Sequence, residues 1–238
     1  MATETIVLCA DLHVEASAPA APGCSAFDAW RQTVIRLLVL PKKRVNPQHR
    51  FAIATLREHA ELVLHPTDNT AAVLAALDKL APTGAAYTSF DLSSLVRVAH
   101  AAAAAAAASR VGGSVGSEPL EVKEALQGMR LVLWYCRSAV VPTWASDPPR
   151  LPCGLCVDAI YSHDKEQQGV NCPQEVFCCL EEQLDGLAQG APQAYILEAR
   201  ATNIRKFQQA MAHLLAHPRQ RPQQQQVVGR PLWELSGP

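Results

Sequence analysis

Three residues limit the folds open to this chain. Arg57, Glu58 and His59 separate two short apolar runs, Phe51 to Leu56 and Glu61 to His65. A link of that length cannot hold a crossover helix, so the two strands must be antiparallel. Along the rest of the chain strand-like and helical patterns mostly alternate, which calls for a largely parallel sheet with helices on both faces.

The first strand runs from Ile6 to Ala10, and "ASAPAAPGC" after it reads as a loop. Ser25 can cap a helix whose apolar positions Phe27, Trp30, Val34, Leu37 and Leu38 keep the helical period until Pro41 stops it. "PKKRVNPQH" then reads as a basic, Pro-bounded connection. After the antiparallel pair, Thr67 or Asp68 caps a helix with Val73, Leu77 and Leu80 on one stripe. A further helix starts near Asp91, turns Leu92, Leu95, Val96 and Ala99 inward, and continues through eight alanines, a neutral low-complexity lengthening. Strands at Arg130 to Cys136, Leu155 to Tyr161 and Gln193 to Ala199 follow, with helices from Pro173 to about Leu187 and from Thr202 to Ala216. The expected architecture is α/β: a mostly parallel sheet with one antiparallel edge strand, as in a von Willebrand A-type domain. It spans residues 1–216, with an Ala/Gly/Ser-rich insertion at about 101–117 and a Pro/Gln-rich tail over 217–238.

Charge excludes one class of partner. Lys and Arg number 21 against 22 Asp and Glu, so no basic footprint exists for nucleic acid or an anionic membrane. The N-terminus lacks the basic and apolar regions of a secretory signal. Ala101 to Ala108 falls short of the roughly 20 residues that cross a bilayer. An intracellular protein is expected, with its eight cysteines mostly free, buried thiols.

The chemistry-bearing candidates lie at the end of the first strand. Active A-type domains place Asp-x-Ser-x-Ser there to hold Mg²⁺ through hard oxygen ligands. Here the frame reads Asp11, His13 and Glu15, the later-loop Asp is replaced by Cys136, and only Ser89 or Thr88 can supply the loop hydroxyl. This reads as a degenerate site without metal or cofactor; Zn²⁺ on Asp11, His13 and Cys136 is the alternative. "CGLC" at Cys153 to Cys156 has no second Cys-x-x-Cys, and it reads with Cys172, Cys178 and Cys179 as core packing. No nucleophile elbow, phosphate loop or His-Glu zinc motif is present, and His100 and His163 stand as isolated polar residues, so an enzyme is not expected.

"FAIATLREHAELVLHPTDNTAAVLAALDKL", "YTSFDLSSL" and above all "LLAHPRQRP" resemble the MERIT family. That family supplies the A-type scaffold subunit shared by the BRISC and BRCA-one A deubiquitinase complexes, and "CADLHVEAS" is similar to its degenerate metal motif. The resemblance runs from about residue 5 to 222; it does not extend to the alanine insertion or to the long acidic leader of animal members. It implies a non-catalytic subunit that stabilises a complex cleaving lysine-sixty-three-linked ubiquitin chains. Such a subunit docks on a BRE-like partner with ubiquitin-conjugating-variant domains, beside a JAMM-type metalloprotease and its pseudo-enzyme partner. Nuclear assemblies of this kind serve the DNA-damage response and cytoplasmic ones signalling. With the resemblance, His217, Pro218, Gln220, Arg221 and Pro222 are the expected partner-binding residues, since a Pro-spaced run is already extended and suits a groove. The other functional classes are a metal-dependent ligand-binding A domain and a zinc-bearing A-type subunit of a transcription and repair complex.

Overall fold

A computed structural model describes residues 3–108, 119–145, 155–187, 194–199, 202–222 and 224. Strand β1 (Thr5–Asp11) lies at the centre of the sheet. A small hairpin, β2 (Pro19–Ala21) and β3 (Cys24–Ser25), leads into α1 (Ala26–Val34), a wide turn over Ile35–Val39 and α2 (Leu40–Val45). The antiparallel pair is β4 (Arg50–Leu56) and β5 (Ala60–Thr67), followed by α3 (Thr70–Lys79), α4 (Ser93–Ala108) and α5 (Pro119–Gln127). Then come β6 (Met129–Tyr135), β7 (Cys156–Tyr161), α6 (Pro173–Leu187), β8 (Ile196–Glu198) and α7 (Ile204–His213). The sheet order is β5-β4-β1-β6-β7-β8, parallel throughout except for β4 against β5. The three-residue link therefore sets the one antiparallel edge, as its length requires.

Both faces of the central strands are dry, which is why they read as continuous apolar runs. Val7 and Cys9 face a core closed by α4, α5 and α6, whereas Ile6, Leu8 and Ala10 face α1, α3 and α7. On the second face Trp30 stacks on Trp134 with centroids 5.3 Å apart, and Phe27 lies against both.

Several local expectations are corrected. The first helix does not stop at Pro41. A proline ring collides with the carbonyl four residues back in regular α geometry; here the turn over Ile35–Val39 widens, so that Leu40 N–H donates to the Ile35 carbonyl, and helix continues as α2. The basic connection is consequently folded: Lys42 and Lys43 are buried, one paired with Glu4, the other donating to the Pro47 and Asp68 carbonyls. Asn69, and neither Thr67 nor Asp68, caps α3. Helix α5 was not expected, and α7 is shorter than Thr202 to Ala216. Ser25 caps α1 through a reciprocal pair with Asp28.

The alanine run is a packing surface. Ala99, Ala102, Ala103, Ala106 and Ala107 are buried at helical spacing, and the first three of them, with Val98 in place of the half-buried Val96, join Ala52, Ala54 and Leu56 in the first core. Side chains this small let α4 approach the sheet closely, so α4 has no spare volume. Ala103→Leu is expected to lower stability by about 1–3 kcal/mol through overpacking. Ala104 is exposed, and Ala104→Leu should stay within about 0.5 kcal/mol. Urea denaturation of the two variants checks the contrast.

Candidate functional site at the sheet's carboxyl end

Three parallel strands bring their carboxyl ends together, β1 at Asp11, β6 at Tyr135 and β7 at Tyr161. Ligands of α/β sheets collect at such an end. Asp11 closes β1 fully buried, and what faces it is the guanidinium of Arg137, also without solvent exposure. Arg137 Nε lies 3.1 and 3.0 Å from the two carboxylate oxygens, and Nη2 donates to Oδ1 at 3.0 Å. The remaining lone pairs of Asp11 accept from the Cys136 and His13 backbone N–H groups, each at 3.1 Å.

The other side of the guanidinium is equally occupied. Nη1 donates to the Ser89 carbonyl at 2.9 Å and Nη2 to the Arg57 carbonyl at 2.6 Å. Tyr87, Phe90 and Tyr135 surround it with ring centroids 5.2 to 5.4 Å away, a distance at which aromatic faces stabilise a cation. Burial opposes the charge, and the Asp11 carboxylate outweighs it, holding the Arg137 pKa above its ordinary value.

The structure thus brings Asp11, His13 and Glu15 to one strand end without making them a ligand set. Glu15 turns to the next loop and accepts from Ser138 N–H at 3.0 Å and from the Ser138 hydroxyl, whose oxygen accepts from Asp164 N–H at 3.0 Å. Burial pushes the Glu15 pKa up against those two Ser138 bonds, which lower it. His13 Nδ1 accepts from Glu15 N–H at 3.3 Å. Ser89 contributes its carbonyl to Arg137 while its residue is exposed, and Thr88 is exposed as well. Cys136 lies in the core, where burial and then the Asp11 charge hold its thiol well above the ordinary pKa. The Asp11 carboxylate, engaged by Arg137 and two backbone N–H groups, has no lone pair left to offer Mg²⁺ or Zn²⁺. Among the described residues no three His, Cys, Asp or Glu side chains converge to hold a metal ion.

Sequence reasoning missed Arg137. "LWYCRS" draws attention to Cys136 as the replacement for an acidic ligand, yet the signal is one residue later. A charged residue just past an apolar strand, adjacent to a strand that ends in the opposite charge, is poised for a pair across the strand tips.

The other candidates fall elsewhere. His163 braces the ends of β7 and β8, with ring nitrogens 2.7 Å from a Glu198 carboxylate oxygen and 2.6 Å from the Asp164 carbonyl, while His100 is exposed. Cys156 is core, as expected, and burial raises its pKa to about 12. Cys178 departs from the expectation: it lies on the outer side of α6, exposed, and Cys179 is half-buried beside the Pro142 carbonyl. Cys153 is outside the described residues.

The run His217 to Pro222, expected to enter a partner's groove, lies against the chain's own sheet, at the opposite end from Asp11. Pro218 is buried, and Arg221 donates to Asp158 Oδ1 at 2.9 Å with its side chain 2% exposed. His217 caps the short turn Pro218–Gln220 and has Nε2 3.8 Å from Glu4. Gln220 and Pro222 keep exposed surface. The boundary drawn after Ala216 therefore divides residues that pack together.

No family model matches the sequence, and no curated protein matches it either. Solved structures do match in fold. The SpRpn10 VWA domain superposes with a TM-score of 0.52 at 13% identity, covering 85% of this chain and 94% of that one. Proximal thread matrix protein 1 from the mussel byssus, solved with a zinc-occupied MIDAS motif, gives 0.54 at 10% identity over 89% of this chain and 48% of its own length. The D319A mutant of the PilB minor pilin from Streptococcus sanguinis gives 0.55 at 11% over 100% and 64%. The chain has the von Willebrand A fold.

Two outcomes follow from the site. Removing one partner of a buried ion pair strands the other charge, so Arg137→Met is expected to destabilise the domain by about 3–5 kcal/mol. The double variant Asp11→Asn with Arg137→Met should recover part of that loss, and equilibrium unfolding of the four proteins in the cycle measures how much. The second outcome concerns pH. Burial lowers the pKa of His13 and His49, whose Nδ1 atoms accept from Glu15 and Glu4 N–H. With a folded pKa below the unfolded value of about 6.5, the unfolded chain binds more protons under that value. Their contribution is intact above about pH 6.5 and is lost below it. The urea midpoint should fall between pH 7.5 and 5.5, and His49→Asn, which retains an acceptor, should flatten the fall.

Proposed function

We propose that this chain is a non-catalytic scaffold subunit of a BRISC or BRCA-one A type deubiquitinase complex, whose von Willebrand A domain holds other subunits together without a metal. The observation that carries the reading is Arg137: a covalently tethered cation with no solvent exposure engages Asp11, where an A-type domain that recruits ligands would need an exposed divalent ion. Such a domain is suited to a permanent protein contact. The specific assignment rests on the resemblance of "HPTDNTAAVLAALDKL" and "LLAHPRQRP" to the MERIT family.

In this reading the contacts are with a BRE-like subunit and, through it, with a JAMM-type metalloprotease and its pseudo-enzyme partner, in nuclear and cytoplasmic assemblies. Exposed Gln220 and Pro222 are the members of the tail run available to that subunit, since Arg221 is engaged internally. No helix among the described residues is long and apolar enough to cross a membrane, which suits such a subunit.

Affinity purification of the tagged chain, followed by identification of the co-eluting proteins, tests the proposal. A JAMM-type metalloprotease and a BRE-like subunit are expected in near-equal amounts; their absence would remove the assignment. Millimolar Mg²⁺ or Zn²⁺ should leave the melting temperature unchanged, whereas an ion at about 100 times its dissociation constant would add about 2.7 kcal/mol. A rise in melting temperature with Mg²⁺ would favour the ligand-binding A domain instead, and one with Zn²⁺ the zinc-bearing subunit.

A further inference from the structure

The sheet's two edges are treated differently. Strand β5 carries α4 against it, whereas β8 is only three residues long and is met by the segment that follows α7. Gln224 does there what a neighbouring strand would do. Its side-chain carbonyl accepts from Ile196 N–H and its amide donates to the Ile196 carbonyl, both at 2.7 Å. Three residues earlier, the Arg221 guanidinium lies 4.1 Å from the Tyr195 ring centroid and donates to Asp158. The Tyr195 hydroxyl donates to the Pro222 carbonyl, and Tyr195 N–H shares Asp158 Oδ1 at 2.8 Å. The three anchors are an arginine on a buried carboxylate and a ring, a carbonyl on a phenol, and an amide on a strand edge. Together they make a recognition site for a peptide segment.

Charge arithmetic separates this segment from the core on which it rests. Asp158 already has a buried cation, Arg130, whose Nε donates to Oδ2, and Glu4 has Lys42. Two carboxylates and two cations balance before Arg221 arrives. Withdrawal of Arg221 leaves Asp158 paired, so it does not strand a buried charge as withdrawal of Arg137 would. The tether is also exposed, at Leu215 and Ala216.

We infer that the β8 edge with Asp158 and Tyr195 is a binding groove for a peptide presenting arginine and, three residues on, glutamine, and that residues 217–222 with Gln224 occupy it in cis as an exchangeable latch. The inference is independent of the complex proposed above. A partner segment of the same chemistry would displace the latch.

The test uses the full chain with a protease recognition sequence inserted between Leu215 and Ala216, folded and then cut. A fluorescent synthetic peptide of residues 217–226 is the probe, read by anisotropy. The cut protein is expected to keep its far-ultraviolet spectrum, release the segment on dialysis and bind the peptide one to one. The peptide carrying Arg221→Ala should bind at least about tenfold more weakly. The uncut chain should bind the wild-type peptide about a hundredfold more weakly, because the tethered copy competes at millimolar effective concentration. In hydrogen exchange on the uncut chain, the Ile196 amide should exchange through local opening, well ahead of the Ala159 amide inside the sheet. Unfolding on cutting, equal binding of the two peptides, or equal protection of the two amides would overturn the inference.

Discussion

The upper end of this domain is organised around one ion pair. Asp11 and Arg137 are both withdrawn from water, and such a pair repays its desolvation only if the remaining hydrogen-bonding groups are satisfied. The surrounding loops supply those groups. The turn after β4 gives the Arg57 carbonyl, the loop before α4 gives the Ser89 carbonyl with the Tyr87 and Phe90 rings, and the turn after β6 gives Cys136 N–H. A guanidinium is suited to this, because its planar fork of donors serves a carboxylate and two separate carbonyls at once. Three loops and the end of β1 are fixed by one side chain.

The lower end uses charge differently. Glu4 with Lys42 and Asp158 with Arg130 are balanced pairs at the start of the strands, and Arg221 joins them from outside the helices and strands. Burial raises and the two arginines lower the Asp158 pKa, with the arginines prevailing. The two ends therefore differ in what the loss of one arginine leaves behind. Arg137 is the sole cation bonded to Asp11 among the described residues, whereas Asp158 has a second. That difference, rather than distance from the strands, separates a fixed element from an exchangeable one.

The sheet was legible because its signals are local. The link over 57–59 dictates antiparallel pairing by length alone, and the dry central strands reveal themselves as unbroken apolar runs. What escaped depended on compensation between distant residues. Pro41 is a valid stop signal unless the preceding turn widens, and nothing in the side chains of 35–39 announces that they will accept a longer hydrogen-bond loop. Lys42 and Lys43 read as part of a basic connection because two of their acceptors, Glu4 and Asp68, lie far away along the chain. The alanines read as neutral because alanine carries no pattern beyond propensity, and their spacing against Ala52 and Ala54 emerges only once α4 lies on the sheet.

The candidate site was half legible for a related reason. An ion-binding pattern shows at Asp11, His13 and Glu15 which ligand types are missing, since too few hydroxyls remain. It does not show what satisfies the carboxylate that stays. A buried Asp keeps its charge only with a counterion, so finding Asp11 at the end of a fully buried strand obliges the chain to provide a cation of its own or to leave room for a free one. Arg137 is the sequence's own cation nearest the tip of the adjoining strand. From this follows the character of the whole upper face: its electrostatics are settled within the chain, its loops are mutually bonded, and any protein it meets finds shape and exposed side chains in place of an open coordination site.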